Sequence, residues 1–470
     1  ISGQTCVVDV EGVMMSSDDA FLVLESCGSA SDLTWPVAPL VLMESGDARA
    51  QWDEPVTVAG GDYRLCWCGS GSGLSGLDTL NNSWLPCFSN ESHGFSASAV
   101  NGFRVDIGLV KVLGVTPLDQ HSTCIAGLSC RIEGITGEGL SDSDQVLVME
   151  TCGRPAHVFG FPGFGFMQDV SRTGASVFWP RLTGKGGQFR LCWCSGGGHC
   201  SIGEHFRTDF GTLTIIGPSP LDQDKTCVAG QTCSVESGLS GTHLSYTNLF
   251  AVLDTCGVPQ NFPVLRWSPD QAVTMASFTG GQYRLCWCVG ELEVMIVADP
   301  SLPLNSTIRT NTSLNVQNLS SVLMNTTYES PCRTADDYRV DFGGLLLVGA
   351  TPIYNDFTCI SGQRCELGDV VTGVHVQDED LVIILDTCGV GRLSPASPAP
   401  KMLSAAKHAS WEALELTMSE LFGGIYKLCW CSAVGSCISA ADFQIDIGNL
   451  LLLGPVSFTQ DKTCVSGLTC

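Results

Sequence analysis

Short apolar or alternating stretches, separated by glycine-rich text, run the whole length of this chain. Phe21–Leu24, Val146–Met149 and Leu381–Ile384 are uniformly apolar, the pattern of a strand buried on both faces. Further on, Tyr63, Leu65 and Trp67 alternate with Arg64, Cys66 and Cys68, which is strand periodicity, with the aromatic–aliphatic set as the expected core face. A last strand follows, in which Phe103, Val105 and Ile107 alternate with Arg104 and Asp106. Only Ser404–Phe422 is rich in helix formers, and there Leu414, Leu416 and Met418 still alternate, so the pattern predicts a strand, with a short inserted helix as the alternative. About seven strands with Gly and Pro turns in ~105 residues predict an all-β fold made of β-sandwiches, of Greek-key type.

The same text recurs. The phrase G-G-x-[Y/F]-[R/K]-L-C-W-C occupies Gly60–Cys68, Gly186–Cys194, Gly280–Cys288 and Gly423–Cys431. Cysteines fall in sixes around it, and equivalent ones are 124, 103, 132 and 105 residues apart, so long and short repeats alternate. The predicted organisation is a tandem array of four disulfide-stapled sandwiches. Their bounds are 1–117 (long), 118–220 (short), 221–352 (long) and 353–457 (short), with 458–470 opening a fifth. The chain opens on I-S-G-Q-T-C and closes on V-S-G-L-T-C, the same phase of the repeat, and shows no basic leader. It reads as an internal or processed segment of a longer secreted protein.

Spacing narrows the disulfide pattern. Cys66 and Cys68 lie two apart on one strand with parallel side chains, so they are not expected to pair with each other. The six-residue intervals Cys194–Cys200 and Cys431–Cys437 look like bonded loop ends, and Cys68–Cys87 and Cys288–Cys332 are their longer counterparts. T-C-[I/V]-[S/A]-G-x-x-C reads as a glycine-turned hairpin closed by Cys124–Cys130, Cys227–Cys233, Cys359–Cys365 and Cys464–Cys470. That leaves Cys27–Cys66, Cys152–Cys192, Cys256–Cys286 and Cys388–Cys429 to tie two strands across each domain.

Composition then restricts function. Twenty-five cysteines point to an oxidising compartment, and 23 basic against 48 acidic residues argue against nucleic acid and anionic membranes as partners. No apolar run reaches the ~18 residues of a membrane span. Six N-x-[S/T] sequons, Asn81, Asn90, Asn305, Asn311, Asn318 and Asn325, cluster in the two long repeats, where N-linked glycans on surface loops are expected. Acidic pairs such as Asp142 with Asp144 and Asp378 with Asp380 are weak Ca²⁺ candidates. The third repeat has Tyr246, Thr247 and Asn248 at that place, which favours a solvated turn. Cys192, Cys194, His199, Cys200 and His205 imitate a zinc cluster, but other repeats keep the cysteines without the histidines, so disulfides are expected. No histidine recurs at one position in all four repeats, and no catalytic centre, cofactor or enzymatic activity is expected. Each repeat pairs a basic residue in the phrase (Arg64, Arg190, Arg284, Lys427) with an aspartate in the last strand (Asp106, Asp209, Asp341, Asp446), an expected cross-strand bridge.

C-W-C followed by F-x-x-D-x-G-x-L-x-x-x-G-P and T-C-x-x-G-x-x-C resembles the cysteine-rich tandem repeats of very large surface proteins of alveolate protists, over the whole chain. The resemblance implies an extracellular or cell-surface modular protein, such as a flagellar hair or surface-coat fibril. Immunoglobulin-like domains are similar in architecture alone, because here the cysteines share a face with Arg64. The expected role is a segment of a structural filament whose partners are further repeats or identical chains. An adhesive ectodomain binding glycan or protein through its variable loops is the alternative.

Overall fold

A computed structural model describes residues 1–29, 40–69, 102–259, 265–297, 323–390, 400–411 and 421–469, apart from stretches of up to six residues inside these ranges. The chain divides into two compact units, one built mainly from Ile1–Ser219 and the other mainly from Pro220–Ser240, Leu244–Glu293 and Thr327–Cys470. The fold is all-β; among the described residues the only helical elements are four short 3-10 turns.

In the first unit, one sandwich stacks the sheet Gln4–Val10, Asp47–Val56, Leu40–Glu44 on the sheet Ala20–Leu24, Gly61–Cys68, Val105–Val112. Phe21, Val23, Trp52, Tyr63 and Leu65 fill the space between them. A second sandwich orders Gln145–Met149, Gly187–Cys194, Thr208–Pro218 and Ser122–Ile125 in one sheet, and Asp169–Val170, Ser176–Trp179 and Cys130–Glu133 in the other. The second unit repeats this order twice: Lys225–Val228, Val340–Ala350, Gly281–Cys288, Leu249–Leu253, and then Asn355–Ile360, Ile445–Leu453, Gly424–Cys431, Leu381–Leu385.

The phrase T-C-x-x-G-x-x-C is not a hairpin. Ser122–Ile125 pairs in parallel with Thr208–Pro218, whereas Cys130–Glu133 pairs with Ser176–Trp179 in the opposite sheet. The glycine turn between them is a crossing from one sheet to the other, so the six-residue ring Cys124–Cys130 is what joins the two layers. Conversely, Cys27–Cys66 does not cross the domain. The strands Ala20–Leu24 and Gly61–Cys68 are already antiparallel neighbours, and the bond clips them together on the outer face of their sheet.

That outer face carries a second core. The Tyr–Leu–Trp face of the C-W-C strand packs the sandwich interior, yet the cysteine face is equally buried. Ala20, Leu24, Cys66, Cys68 and Phe103 cluster there in the first repeat. Leu147, Met149, Cys192, Cys194 and Phe206 do so in the second. Cys286, Cys288, Cys332 and Tyr338, then Cys429, Cys431 and Phe443, repeat the arrangement. A small outer core thus supplements the sandwich interior, and cysteines supply two or three of its buried residues in each repeat.

Candidate functional site

The described disulfides fall in three classes. Cys27–Cys66, Cys152–Cys192, Cys256–Cys286 and Cys388–Cys429 close loops of 30 to 41 residues. Cys194–Cys200, Cys288–Cys332 and Cys431–Cys437 lock the return from the C-W-C strand to the last strand. Cys124–Cys130, Cys227–Cys233 and Cys359–Cys365 join the layers. Cys68 and Cys464 are also bonded, but their expected partners Cys87 and Cys470 lie outside the described residues. Cys6, at the place of Cys130 in its repeat, has no disulfide partner among the described residues, and burial pushes its thiol pKa up. With every other cysteine of the C-W-C region oxidised, no thiolate remains for zinc near His199 and His205.

Beside each outer core sits a β-bulge. Register shifts by one residue opposite Leu65/Cys66, Leu191/Cys192, Leu285/Cys286 and Leu428/Cys429. The aspartate of the last strand stabilises it twice over. One oxygen accepts the N–H two residues on, at 3.1 Å for Gly108 to Asp106 and 3.0 Å for Gly448 to Asp446. The carboxylate also accepts from the basic residue of the phrase: Arg64 to Asp106 at 2.7 Å, Arg190 to Asp209 at 2.6 Å, Arg284 to Asp341 through two bonds of 2.7 Å, and Lys427 to Asp446 at 2.8 Å. The expected cross-strand bridge is therefore present in all four repeats, as a lock on the bulge.

The acidic turns hold their second carboxylate inside. Asp144 is buried and accepts from Ser141 N (2.9 Å) and Gly196 N (3.0 Å); Asp380 accepts from Gln377 N (3.0 Å) and Ala433 N (2.9 Å). Asp142 and Asp378 are exposed. The oxygens thus face N–H donors, tying the turn to the loop after C-W-C. Among the described residues no group of three or more His, Cys, Asp or Glu is placed to hold a metal ion. In the third repeat Asn248 takes this position; its Oδ1 accepts from Gly290 N at 3.3 Å and its buried Nδ2 has no partner. A carboxylate at this place, as in Asp144 and Asp380, would keep the acceptor and remove the buried N–H donors that have no partner. Asn248→Asp is therefore expected to stabilise the third repeat by about 1 kcal/mol. Slower hydrogen exchange at Gly290 checks it, and faster exchange refutes it.

A second carboxylate caps the turn before the last strand. Asp442 accepts from Ser439 N (2.7 Å), Ser439 Oγ (3.0 Å) and Ile438 N (2.9 Å), and the Ser439 N–H above all holds its carboxyl below the ordinary value. A folded pKa below the unfolded one means stabilisation that is present above the usual carboxylate range and lost as pH falls through the folded value. The Ser439 amide should accordingly lose protection below about pH 4. In the second repeat His205 takes the same place, accepting Ser201 N–H on Nδ1 at 3.4 Å.

Within each unit, consecutive repeats dock through one device. In the first unit Ser2 and Gly3 enter a notch beside Gly114, where an added Cβ would lie 2.8 Å from Ser2 and 3.4 Å from Trp193 of the next repeat. Ser2 Oγ donates to Val58 O (2.7 Å) and so accepts from Thr208 Oγ1 (2.9 Å). The second unit has the same notch: a Cβ on Gly349 would lie 2.6 Å from Ala229 and 3.6 Å from Trp430, and Gly230 meets Ile445. The polar pair Ser2/Thr208 of one junction is the apolar pair Ala229/Ile445 of the other, so each junction is internally matched.

Some features escaped the sequence reading. Tyr63, Tyr283 and Tyr426 donate their hydroxyls to the carbonyls of Ala59, Thr279 and Phe422, each at 2.8 Å, pinning the G-G turn. The text F-G-F-P-G-F-G-F (159–166) forms a loop whose Phe161 packs edge-on to Trp179 and Phe189, while Phe159 and Phe164 are 83% and 62% exposed. Phe164 has φ of 59°, strained for a bulky residue. Of the sequons, Asn325 lies on the strand Leu323–Tyr328 and not in a loop, and the other five lie outside the described residues.

No family model matches the chain. It is similar to cysteine repeat modular protein B of Toxoplasma gondii, at 22% identity over 98% of this chain. This chain spans only 6% of that protein's length. Among solved structures, similarity is found to a Bacteroides ovatus mixed-linkage glucan utilization locus protein, SGBP-B, with 11% identity over 58% of this chain and 63% of that one, TM-score 0.15. An I-band fragment of titin matches with 11% identity over 73% and 98%, TM-score 0.15. At those scores neither structure carries an argument. The dense disulfides and the cysteine-repeat relative together point to an extracellular or surface protein of structural type. No helix among the described residues is long and apolar enough to cross a membrane.

Proposed function

We propose that this chain is a stretch of an extracellular structural glycoprotein, part of a filament or surface fibril of the flagellar-hair or surface-coat kind. Its partners are further repeats of the same chain or identical chains, its long repeats carry N-glycans, and it has no catalytic activity of its own. The observation that supports this best is the junction device. Two pairs of consecutive repeats dock through the same glycine notch and the same C-W-C tryptophan, with different but matched side chains. A contact preserved through compensating residues suits a shaft in which each module is set at a fixed angle to the next. At ~10 residues per long strand and ~3.3 Å per residue, each module would add about 30–40 Å. Negative-stain imaging of the purified chain is expected to show four beads at regular spacing that associate into fibres. Beads at random angles that stay monomeric at every concentration would reject the filament reading.

The exposed Phe159 and Phe164, held on a strained loop by buried neighbours, favour the alternative of a recognition ectodomain. Glycan-array binding that disappears in F159S/F164S would move the assignment to recognition.

A further inference from the structure

The junction of the first unit is hollow on one side. A cleft of about 410 Å³ opens between the segment Ser2–Thr5 and the loop that follows C-W-C in the second repeat. That volume is in the range of small-ligand sites, and larger than a lone inorganic ion needs. His199, His205 and Arg207 line it, together with the hydroxyl of Thr5, the amide of Gln4 and the glycines 197 and 198. No acidic side chain is among its lining residues. The imidazoles of His199 and His205 stand 6.4 Å apart, centroid to centroid. Because His205 accepts the Ser201 N–H on Nδ1, its neutral form carries the proton on Nε2 and is a donor there. The stem of Arg207 lies over Gly153, and no ion pair of Arg207 is present among the described residues. In a chain of net charge −25, an unpaired arginine beside two histidines is a local reversal of sign.

The junction of the second unit supplies a built-in comparison. Its framework is the same, down to the glutamine that meets the glycine of the loop: Gln4 with Gly198 in one, Gln231 with Gly435 in the other. The two histidines and the arginine are not kept. Ser436 stands for His199, Asp442 for His205 and Gln444 for Arg207, while Val434 replaces Gly197. Asp442 also shows what the position of His205 does for the fold alone, since it caps the turn better than histidine does. A histidine there gives up capping bonds and gains a donor on the cleft side.

We infer that the first-unit junction cleft binds the anionic group, carboxylate or sulfate, of an acidic saccharide. Arg207 takes the charge, the two imidazoles donate to the same group, and Thr5 and Gln4 take neighbouring hydroxyls. Placed at a junction, a bound sugar touches two repeats at once and stabilises their docking by mass action.

The test is calorimetric titration of the intact chain with a sulfated, uronate-containing disaccharide, an uncharged disaccharide and inorganic sulfate. Imidazole signals of His199 and His205 are followed in parallel. Saturable binding of the acidic disaccharide is expected, at least tenfold tighter than either control, with both histidine signals moving. The variant H199S/H205D/R207Q, which carries residues that the other junction already tolerates, should fold normally and bind at least tenfold more weakly. Equal affinity of that variant and the parent, or no saturable binding by the parent, overturns the proposal. Sulfate binding as tightly as the disaccharide overturns the saccharide assignment and leaves a free-anion site.

Discussion

Gly211→Ala is expected to cost far more stability than Gly108→Ala, although the two glycines hold the same place in their repeats. Both sit at the bulge of the last strand with φ of +156° and +159°, so both substitutions carry the same backbone strain, about 1–2 kcal/mol. What differs is the space. A Cβ on Gly211 would lie 2.3 Å from the carbonyl oxygen of Gln120, and on Gly108 it would meet nothing within 4 Å. Gln120 cannot yield, because its side chain is bonded to Pro117 O (2.9 Å), Thr136 O (3.0 Å) and Thr136 N (2.8 Å), and its own N–H donates to Phe210 O (2.8 Å). The added methyl must therefore push Ser122–Ile125 off the last strand, at a cost above about 3 kcal/mol in all. Hydrogen exchange resolved by peptide is the right measurement, since a chain of several domains does not unfold in one step. Amides of Ser122–Ile125 should lose protection in Gly211→Ala, and those of Val105–Val112 should change little in Gly108→Ala. Equal losses would show that strain, and not the neighbouring strand, demands the glycine.

Removing Cys152–Cys192 should unfold the second repeat, whereas removing Cys124–Cys130 should only loosen it. The first bond closes 40 residues and the second six, which by loop entropy alone corresponds to about 4 against about 2 kcal/mol. Packing widens the gap. Cys192 has 0% exposure in a cluster with Leu147, Met149 and Phe206, so its replacement by alanine also leaves a cavity on the outer face. Against the net stability of a domain this small, the combined loss is decisive. Limited proteolysis of C152A/C192A should cut between residues 130 and 218, and C124A/C130A should stay resistant there while fraying at Ser122–Ile125. If the small ring proves the more damaging loss, the sheet-to-sheet link matters more than the outer core.

Much of this was legible in the chain. Period-two text and uniformly apolar runs identified the C-W-C strand and its neighbours, because both depend on local geometry alone. Repetition then made the Arg64–Asp106 type of pair visible: four recurrences of a base and an acid on adjacent strands leave little room for chance. Other features had no such signal. T-C-x-x-G-x-x-C looks like a hairpin because its glycine and its two cysteines fit one, yet parallel pairing of Ser122–Ile125 with a strand some ninety residues later draws the two halves apart. The inward carboxylates of Asp144 and Asp380 looked like any acidic turn, since an oxygen facing a distant N–H leaves no mark on spacing. The exposed loop at Phe159–Phe166 was readable as aromatic, but not as two rings in and two rings out.

The sequence by itself determined the β class, the recurrence of the C-W-C phrase and the disulfide-rich character, because strand periodicity, recurrence and cysteine density are properties of the chain alone. Only the tertiary structure decided which face of each sheet a disulfide covers, which layer each half of the glycine turn joins, and how one repeat meets the next. Those depend on contacts between residues far apart in the chain, where the closeness of a backbone oxygen or the fit of a tryptophan against a glycine is set by packing and not by pattern.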